Sequence, residues 1–172
     1  MRERRLAPES KAQELLDEDG AVQLCAFRVG AEQYAVDLRR VEEIIQSPPV
    51  TRVPHAPAFL EGVIHARDRV IPVIDLRKRL GLPRSPPALR PKCMICRLGR
   101  EWVAMVVDGT SEVLRVAMSE LRPVPALLSS PARPYVIGVC GAPDDLTLLL
   151  DLKALFAPDA PPGQADEPLG HY

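Results

Sequence analysis

The distribution of proline limits the possible folds of this chain more than any other feature of its sequence. Between residues 21 and 156, an apolar body rich in valine, leucine and isoleucine is interrupted by proline about every ten residues. Proline breaks helices and cannot donate a hydrogen bond inside a sheet. Long helices are therefore excluded, and the apolar segments are typical of many short strands joined by turns. The sequence predicts a mainly β fold.

A proline-rich segment at residues 83–92 divides this body into two halves, and the halves repeat one plan. A shift of about 69 residues aligns Glu32 with Glu101, Ala35 with Ala104, Glu43 with Glu112, Ile44 with Val113 and Pro54 with Pro123. A shift of about 76 residues then aligns Gly62 with Gly138, Ala66 with Ala142, Asp68 with Asp144 and Asp75 with Asp151. Such self-similarity indicates that one supersecondary unit occurs twice.

Each half contains about five strands. In the first half, hairpins are predicted for residues 25–29 with 33–38 and for residues 59–64 with 69–74. Residues 38–45 suit a short helical turn or an irregular strand, and Asp75 is placed to cap a helical turn over residues 75–80. Because five strands with tight turns can form a small barrel without exposed edges, we expect two five-stranded barrels in tandem. Their predicted bounds are about 21–82 and 93–156. The sequence leaves open which terminal strand completes which barrel, because strands can be exchanged between tandem halves.

Charge and hydropathy exclude several classes of function. The net charge of −1 provides no overall field for nucleic acid or an anionic membrane. The longest apolar runs are far shorter than the roughly 20 residues of a spanning helix, so we expect no membrane insertion. Residues 1–20 are a polar leader without the apolar core of a secretion signal, which favours the cytoplasm. Residues 157–172 are predicted to be a disordered, proline-rich tail.

Taken together, the ordered segments of residues 22–156 resemble the CheW family of chemotaxis coupling proteins. The first half carries Phe27-x-x-Gly30, Tyr34-Ala35-Val36-Asp37, Val41-x-Glu43-Ile44, Val53-Pro54-x-Ala56-Pro57-x-Phe59, Gly62-Val63-Ile64, Arg67 and Val70-Ile71-Pro72-Val73-Ile74-Asp75-Leu76-Arg77. The second half carries Val106-Val107-Asp108-Gly109, Glu112-Val113, Pro123-Val124-Pro125, Tyr135-x-x-Gly138-Val139 and Leu148-Leu149-Leu150-Asp151-Leu152-x-x-Leu155. The resemblance rests on the shared order of these pieces over the whole body.

The resemblance implies two SH3-like barrels and a non-enzymatic scaffold without a cofactor or a metal. The implied partners are the cytoplasmic hairpin of a chemoreceptor and the regulatory domain of the CheA histidine kinase. The implied location is the cytoplasm, with recruitment to receptor arrays. By position, the residues matched to partner contacts are Val41, Glu43, Gly62, Arg67, Asp68, Thr110 and Val113.

One hairpin departs from the family pattern. The family usually has Asn-Leu-Arg-Gly where this chain has His65-Ala66-Arg67-Asp68, so an aspartate replaces the turn glycine. Aspartate tolerates positive φ better than most residues, although less well than glycine. The turn is therefore expected to survive with an altered partner preference, as in a specialised chemosensory array. An accessory role in gliding, pilus or gene-regulatory systems stays open.

Each matched residue also has a purely structural interpretation. Arg67 can be a solvated turn residue, and Glu43 can pair on the surface with Arg39 or Arg40. Valine is mostly buried, so Val41 and Val113 can be core residues. Close backbone packing alone can explain Gly62 and its repeat counterpart, and for these glycines it is the favoured reading.

The enzyme alternative uses Cys93 and Cys96, whose spacing resembles a zinc knuckle or a reactive thiol pair. Residues three apart on a strand point to opposite faces, and a second cysteine pair is missing. The four cysteines are therefore expected to be buried free thiols. Asp75, Asp151, Asp144 and Asp145 are better explained as caps and turn residues than as catalytic acids.

Overall fold

A computed structural model of the chain describes residue 11 and residues 13–83, 89–125 and 133–157. Within these ranges the strands are β1 (Ala21–Val29), β2 (Glu32–Asp37), β3 (Val41–Gln46), β4 (Leu60–Ala66), β5 (Arg69–Asp75), β6 (Lys92–Leu98), β7 (Glu101–Val107), β8 (Gly109–Ala117), β9 (Val136–Ala142) and β10 (Asp145–Leu150). Short helices follow at α1 (Leu76–Leu80) and α2 (Leu152–Leu155), and 3₁₀ turns lie at Leu38–Arg40, Met118–Glu120 and Arg133–Tyr135. The mainly β prediction is confirmed.

The strands form two five-stranded sheets. The first sheet has the order β8-β1-β2-β10-β9, and the second has the order β3-β6-β7-β5-β4. In the first sheet, Arg122, which follows the edge strand β8, forms a bridge to Val139 in the other edge strand, β9. In the second sheet, Thr51, which follows the edge strand β3, forms a bridge to Val63 in the other edge strand, β4. These bridges bring the two edges of each sheet together, which limits the exposure of unpaired strand edges.

The sheets do not follow the boundaries predicted for the two barrels, 21–82 and 93–156. The β1–β2 hairpin of the first half lies in the sheet of β8, β9 and β10, and the β6–β7 hairpin of the second half lies in the sheet of β3, β4 and β5. Each half has therefore exchanged its first hairpin with the other half. The repeat makes this exchange possible, because two similar halves present similar strand edges to either hairpin.

Equivalent contacts confirm the predicted internal repeat. The amide of Asp75 donates to the carbonyl of Phe59 at 2.8 Å, and the amide of Asp151 donates to the carbonyl of Tyr135 at 2.8 Å. Both aspartates cap the short helix that follows, as predicted for Asp75, whose Oδ1 accepts from the amide of Arg77 at 3.0 Å. Each half therefore ends in the same arrangement of a backbone hydrogen bond and a capped short helix.

A central core joins the two sheets. It contains buried residues of both, including Phe27, Tyr34, Met94, Met105 and Leu150. Each sheet also has a smaller core on its other face, around Leu24 in the first sheet and Ile95 in the second. Strands β1 and β6 are therefore buried on both faces, and the central core stabilises the sheets as one unit by removing apolar surface from water.

Arg79 of α1 contacts residues of both halves next to helices α1 and α2. Its side chain is buried, its Nε donates to the carbonyl of Leu155 at 2.9 Å, and its guanidinium lies 4.0 Å from the Phe59 ring and 4.9 Å from the Tyr135 ring. Phe59 and Tyr135 are repeat counterparts, so this one arginine contacts the same position in both halves. Burial lowers the pKa of Arg79 from its usual value.

Part of the predicted polar leader is packed against the body. Leu15 and Leu16 contact the smaller core of the first sheet, and the Asp17 carboxylate accepts from the amide of Ala21 at 2.9 Å. The first ten residues and the tail beyond Ala157 lie outside the described part of the chain. In the ranges that are described, no helix has both the length and the apolar character needed to cross a membrane.

Candidate functional site

The tip of the β4–β5 hairpin is a two-residue turn formed by Arg67 and Asp68. Both residues have positive φ, 48° and 59° respectively. Positive φ at both central positions defines the type I′ turn, whose twist matches that of the strands it joins. The turn therefore survives the replacement of glycine by aspartate, as predicted, and it projects both side chains into solvent.

Arg67 forms an ion pair with Glu43 of β3. The Nε of Arg67 lies 2.7 Å from Oε2 of Glu43, and the two side chains keep 61% and 30% of their surface exposed. The structure thus brings together two residues that the sequence placed separately. Arg39, one of the two alternative partners considered for Glu43, is engaged elsewhere, because its guanidinium pairs with Asp37 at 3.0 Å.

Gly62 lies where two backbone segments approach each other. A Cβ atom at this position would be 2.1 Å from the carbonyl oxygen of Thr51, and φ is +152°. Thr51 and Val63 form the bridge that joins the edges of the second sheet, so the contact is fixed by backbone hydrogen bonds. The geometry therefore gives Gly62 a structural role, which was the favoured reading, and places it in the strand that supports the Arg67 turn.

The other three candidate residues lie around the central core. Val41 is half-buried against this core, whereas Val113 on the edge strand β8 is 59% exposed. Thr110 is also exposed and is paired with Phe27 of β1. The structure therefore separates the candidates into a set on the second sheet and a pair on β8 of the first sheet.

Ile44 is a candidate partner-binding residue that the sequence analysis did not identify. Its side chain is 37% exposed, and its strand position faces Met94 of the central core. Val113, its repeat counterpart, faces Cys25 of the same core. The 69-residue shift aligns the two residues and was the signal that could have identified Ile44.

The zinc or thiol alternative has no support in the geometry. Cys93 lies in the smaller core of the second sheet and Cys96 lies in the central core, so their side chains occupy opposite faces of β6. Burial raises the pKa of Cys93 to about 11 and that of Cys96 to about 12. Among the described residues, no group of three potential ligands could hold a metal ion.

All four native cysteines are expected to resist thiol reagents until the protein unfolds. They are buried, and burial raises the pKa of each, so the reactive thiolate is scarce at pH 8. The measurement is labelling with a chromogenic disulfide reagent, with and without denaturant. Leu89→Cys is the positive control, because Leu89 is fully exposed. Rapid labelling of Cys93 or Cys96 in native buffer would contradict this expectation.

Asp68→Gly is expected to stabilise the protein by about 0.5–1 kcal/mol, because an L-residue at positive φ carries a steric cost that glycine avoids. Urea denaturation measures the change. Asp144→Gly is the matched control, since Asp144 is the repeat counterpart of Asp68 and does not have positive φ. Asp144→Gly should therefore not increase the stability of the protein. Equal effects of both substitutions would argue against backbone strain at Asp68.

Comparisons with known proteins identify the class. The model of the CheW-like domain family matches residues 23–159. A probable chemotaxis protein CheW of Rhizobium etli is 34% identical over 138 residues, covering 80% of this chain and 89% of the relative. The chemotaxis protein CheW of Rhizobium meliloti is 33% identical over 138 residues, with the same two coverages.

A solved structure gives the same assignment. The scaffolding protein TtCheW of Thermoanaerobacter tengcongensis superimposes with a TM-score of 0.73 at 26% identity, covering 81% of this chain and 95% of that one. The family match and the likeness to a scaffolding protein place this chain in the class of chemotaxis scaffold proteins. This chain belongs to the CheW-like domain family, and its function is that of a chemotaxis coupling adaptor.

Proposed function

We propose that the chain is a non-enzymatic, cytoplasmic scaffold that links the cytoplasmic tips of chemoreceptors to the regulatory domain of a CheA-type histidine kinase. Recruitment to receptor arrays follows from this role, because each contact is made with a component of the array. Family membership supports the class of partner. The two separate sets of candidate residues, one on each sheet, support simultaneous binding of two partners.

The observation that carries this proposal is the exposed Glu43–Arg67 pair on a turn with positive φ. An exposed ion pair contributes about 0.2–1 kcal/mol to stability. A non-glycine residue in the left-handed region costs about 1–2 kcal/mol. The turn therefore gains little or no stability from Arg67, so folding alone does not explain an arginine at this position. A paired guanidinium that keeps 61% of its surface exposed can still form hydrogen bonds with a partner.

We assign the receptor hairpin to the second sheet, at Val41, Glu43, Arg67 and Asp68. Gly62 supports this surface by fixing the strand beneath the turn. The kinase regulatory domain is assigned to Thr110 and Val113 on β8. Two weak contacts are sufficient for such a scaffold, since neighbouring partners in an array raise the effective concentration of each. Asp68 in place of glycine favours a specialised array.

Reconstitution with purified components tests the proposal. The components are this chain, a cytoplasmic receptor fragment, and the regulatory domain of the kinase encoded with it. We expect micromolar binding of each partner by calorimetry and a three-component complex by size-exclusion chromatography. Failure of both partners to bind at several hundred micromolar would overturn the proposal. Competition between the two partners would overturn the assignment of separate surfaces.

A further inference from the structure

A cation and an aromatic ring lie together on the second sheet, where Arg69 directly follows the Arg67–Asp68 turn. The guanidinium carbon of Arg69 is 4.7 Å from the centre of the Trp102 ring, and Trp102 is the only tryptophan of the chain. Arg69 begins β5 and shares a sheet face with Ile71 and Val73 of the smaller core of the second sheet. Trp102 packs against the same core. The two side chains therefore cover one open end of that core.

The repeat shows that the fold does not require this arrangement. The counterparts at the same end of the first sheet differ as follows: Glu43 corresponds to Glu112, Arg67 to Pro143, Arg69 to Asp145, Arg97 to Arg28 and Trp102 to Gln33. Among these five pairs of positions, the second sheet has three arginines and one glutamate, whereas the first sheet has one arginine and two acids. Equivalent strands of the repeat follow the same order in both sheets. The cationic and aromatic residues are therefore a specific property of the second sheet.

Arg69 is available to a ligand. Its side chain is exposed, and no carboxylate among the described residues pairs with it. A guanidinium stacked on an aromatic face keeps the N–H groups at its edge free, and these groups bind a carboxylate through two parallel hydrogen bonds. The Trp102 ring also restricts the side chain, which reduces the entropy lost when a partner binds.

The spacing of Arg67 and Arg69 fits an acidic helix. Arg67 lies in the turn and Arg69 is the first residue of β5, so both arginines are at the same end of the second sheet. Acidic residues one turn apart on a helix have Cβ atoms about 5–6 Å apart, and long arginine side chains can adjust to that spacing. Two carboxylates on one face of a helix can therefore meet both arginines at once.

We propose that Arg69, held against Trp102, is a specificity-determining residue that binds an acidic side chain of the receptor hairpin next to the Glu43–Arg67 pair. This inference rests on the proposed function and adds a second charged contact to the same site. Asp145 at the corresponding position of the first sheet would repel the same acidic side chain. The acidic face of the receptor helix is therefore directed to one of the two similar sheets.

The fluorescence of Trp102 provides a direct test. The full chain is titrated with a tryptophan-free cytoplasmic receptor fragment and, separately, with the kinase regulatory domain, and binding is also measured by calorimetry. We expect a saturable change of Trp102 emission with the receptor fragment only. Arg69→Ala should weaken receptor binding about five- to tenfold and reduce its salt dependence, whereas Arg69→Lys should keep part of the affinity.

Two further variants complete the experiment. Trp102→Phe, followed by calorimetry, should weaken binding less than Arg69→Ala, because phenylalanine keeps a weaker aromatic face. Arg28→Ala removes the same charge from the first sheet and should not change receptor binding. Normal receptor binding by Arg69→Ala would overturn this inference and leave the proposed function intact, whereas no binding by the unaltered chain would overturn both. Emission changes caused by the kinase domain, or by self-association in sedimentation experiments, would also overturn it.

Discussion

Exchanging the charges of Glu43 and Arg67 is expected to keep the fold intact and to weaken receptor binding at least about 100-fold. The double substitution Glu43→Arg with Arg67→Glu restores an ion pair of the same kind at the same place. The 2.7 Å contact can therefore re-form with its polarity reversed, and stability should change by less than about 1 kcal/mol. A partner adapted to the original polarity meets like charges at both positions, which costs several kcal/mol.

The exchange separates the structural interpretation of this pair from the functional one. Denaturant melts measure stability, and calorimetry with the receptor fragment measures affinity. A matched control is available in the exposed pair of Arg115 on β8 and Asp19 in the turn before β1, which lie 3.1 Å apart; Arg115 also lies 3.6 Å from Asp17. The exchange Asp19→Arg with Arg115→Glu should leave receptor affinity unchanged. Wild-type affinity of the Glu43/Arg67 exchange would show that the pair serves the fold alone.

Gly62→Ala is expected to lower the free energy of unfolding by at least about 3 kcal/mol. Its Cβ would be 2.1 Å from the Thr51 carbonyl oxygen, and +152° is a φ that side chains rarely adopt. Relief of the contact requires breaking the Thr51–Val63 bridge, so backbone strain and lost hydrogen bonds add together. Receptor binding should fall as a consequence, because β4 carries the turn of Arg67.

Gly99→Ala is the matched control for this substitution. Gly99 also has positive φ, +62°, but an added Cβ would meet no atom within 4 Å. Its substitution should cost only about 1 kcal/mol, the conformational cost alone. The difference between the two variants in urea denaturation isolates the Thr51 contact. Similar losses of stability from both substitutions would show that the close approach of Thr51 to Gly62 does not add to the effect of Gly62→Ala.

Local chemistry made the strands, turns and caps predictable from the sequence. Alternating apolar residues beside turn residues predicted the β1–β2 and β4–β5 hairpins, and the structure has both. Asp75 caps α1 because its short carboxylate reaches the free amides of the first turn, which depends only on neighbouring residues. The segment predicted as a helical turn or an irregular strand contains both, a 3₁₀ turn at Leu38–Arg40 followed by β3.

The pairing of the halves could not be predicted in this way. The edges of β1 and β6 offer the same backbone groups, and their side-chain patterns are similar because the halves repeat. Pairing within a half and pairing between halves therefore satisfy the same local rules. The choice between them depends on the central core, where residues far apart in sequence must fit together.

The candidate site was predicted in part. The sequence indicated Arg67 and Glu43 individually, but only the closure of the second sheet places them 2.7 Å apart. Trp102 and Arg69 carried no local signal, since their contact joins β7 to β5, which are paired in parallel across the sheet. The comparison of the two halves residue by residue is the sequence feature that could have identified them.

The exchange of hairpins has a consequence for cleavage of the chain. A protease cut between residues 84 and 88 would give two fragments, and each would supply strands to both sheets. Neither fragment would contain a complete sheet, whereas the pair would stay associated through its hydrogen-bonded ladders and shared interior. The same arrangement would arise if two copies of one small ancestral unit first swapped their leading hairpins as a homodimer and were later joined end to end by gene fusion.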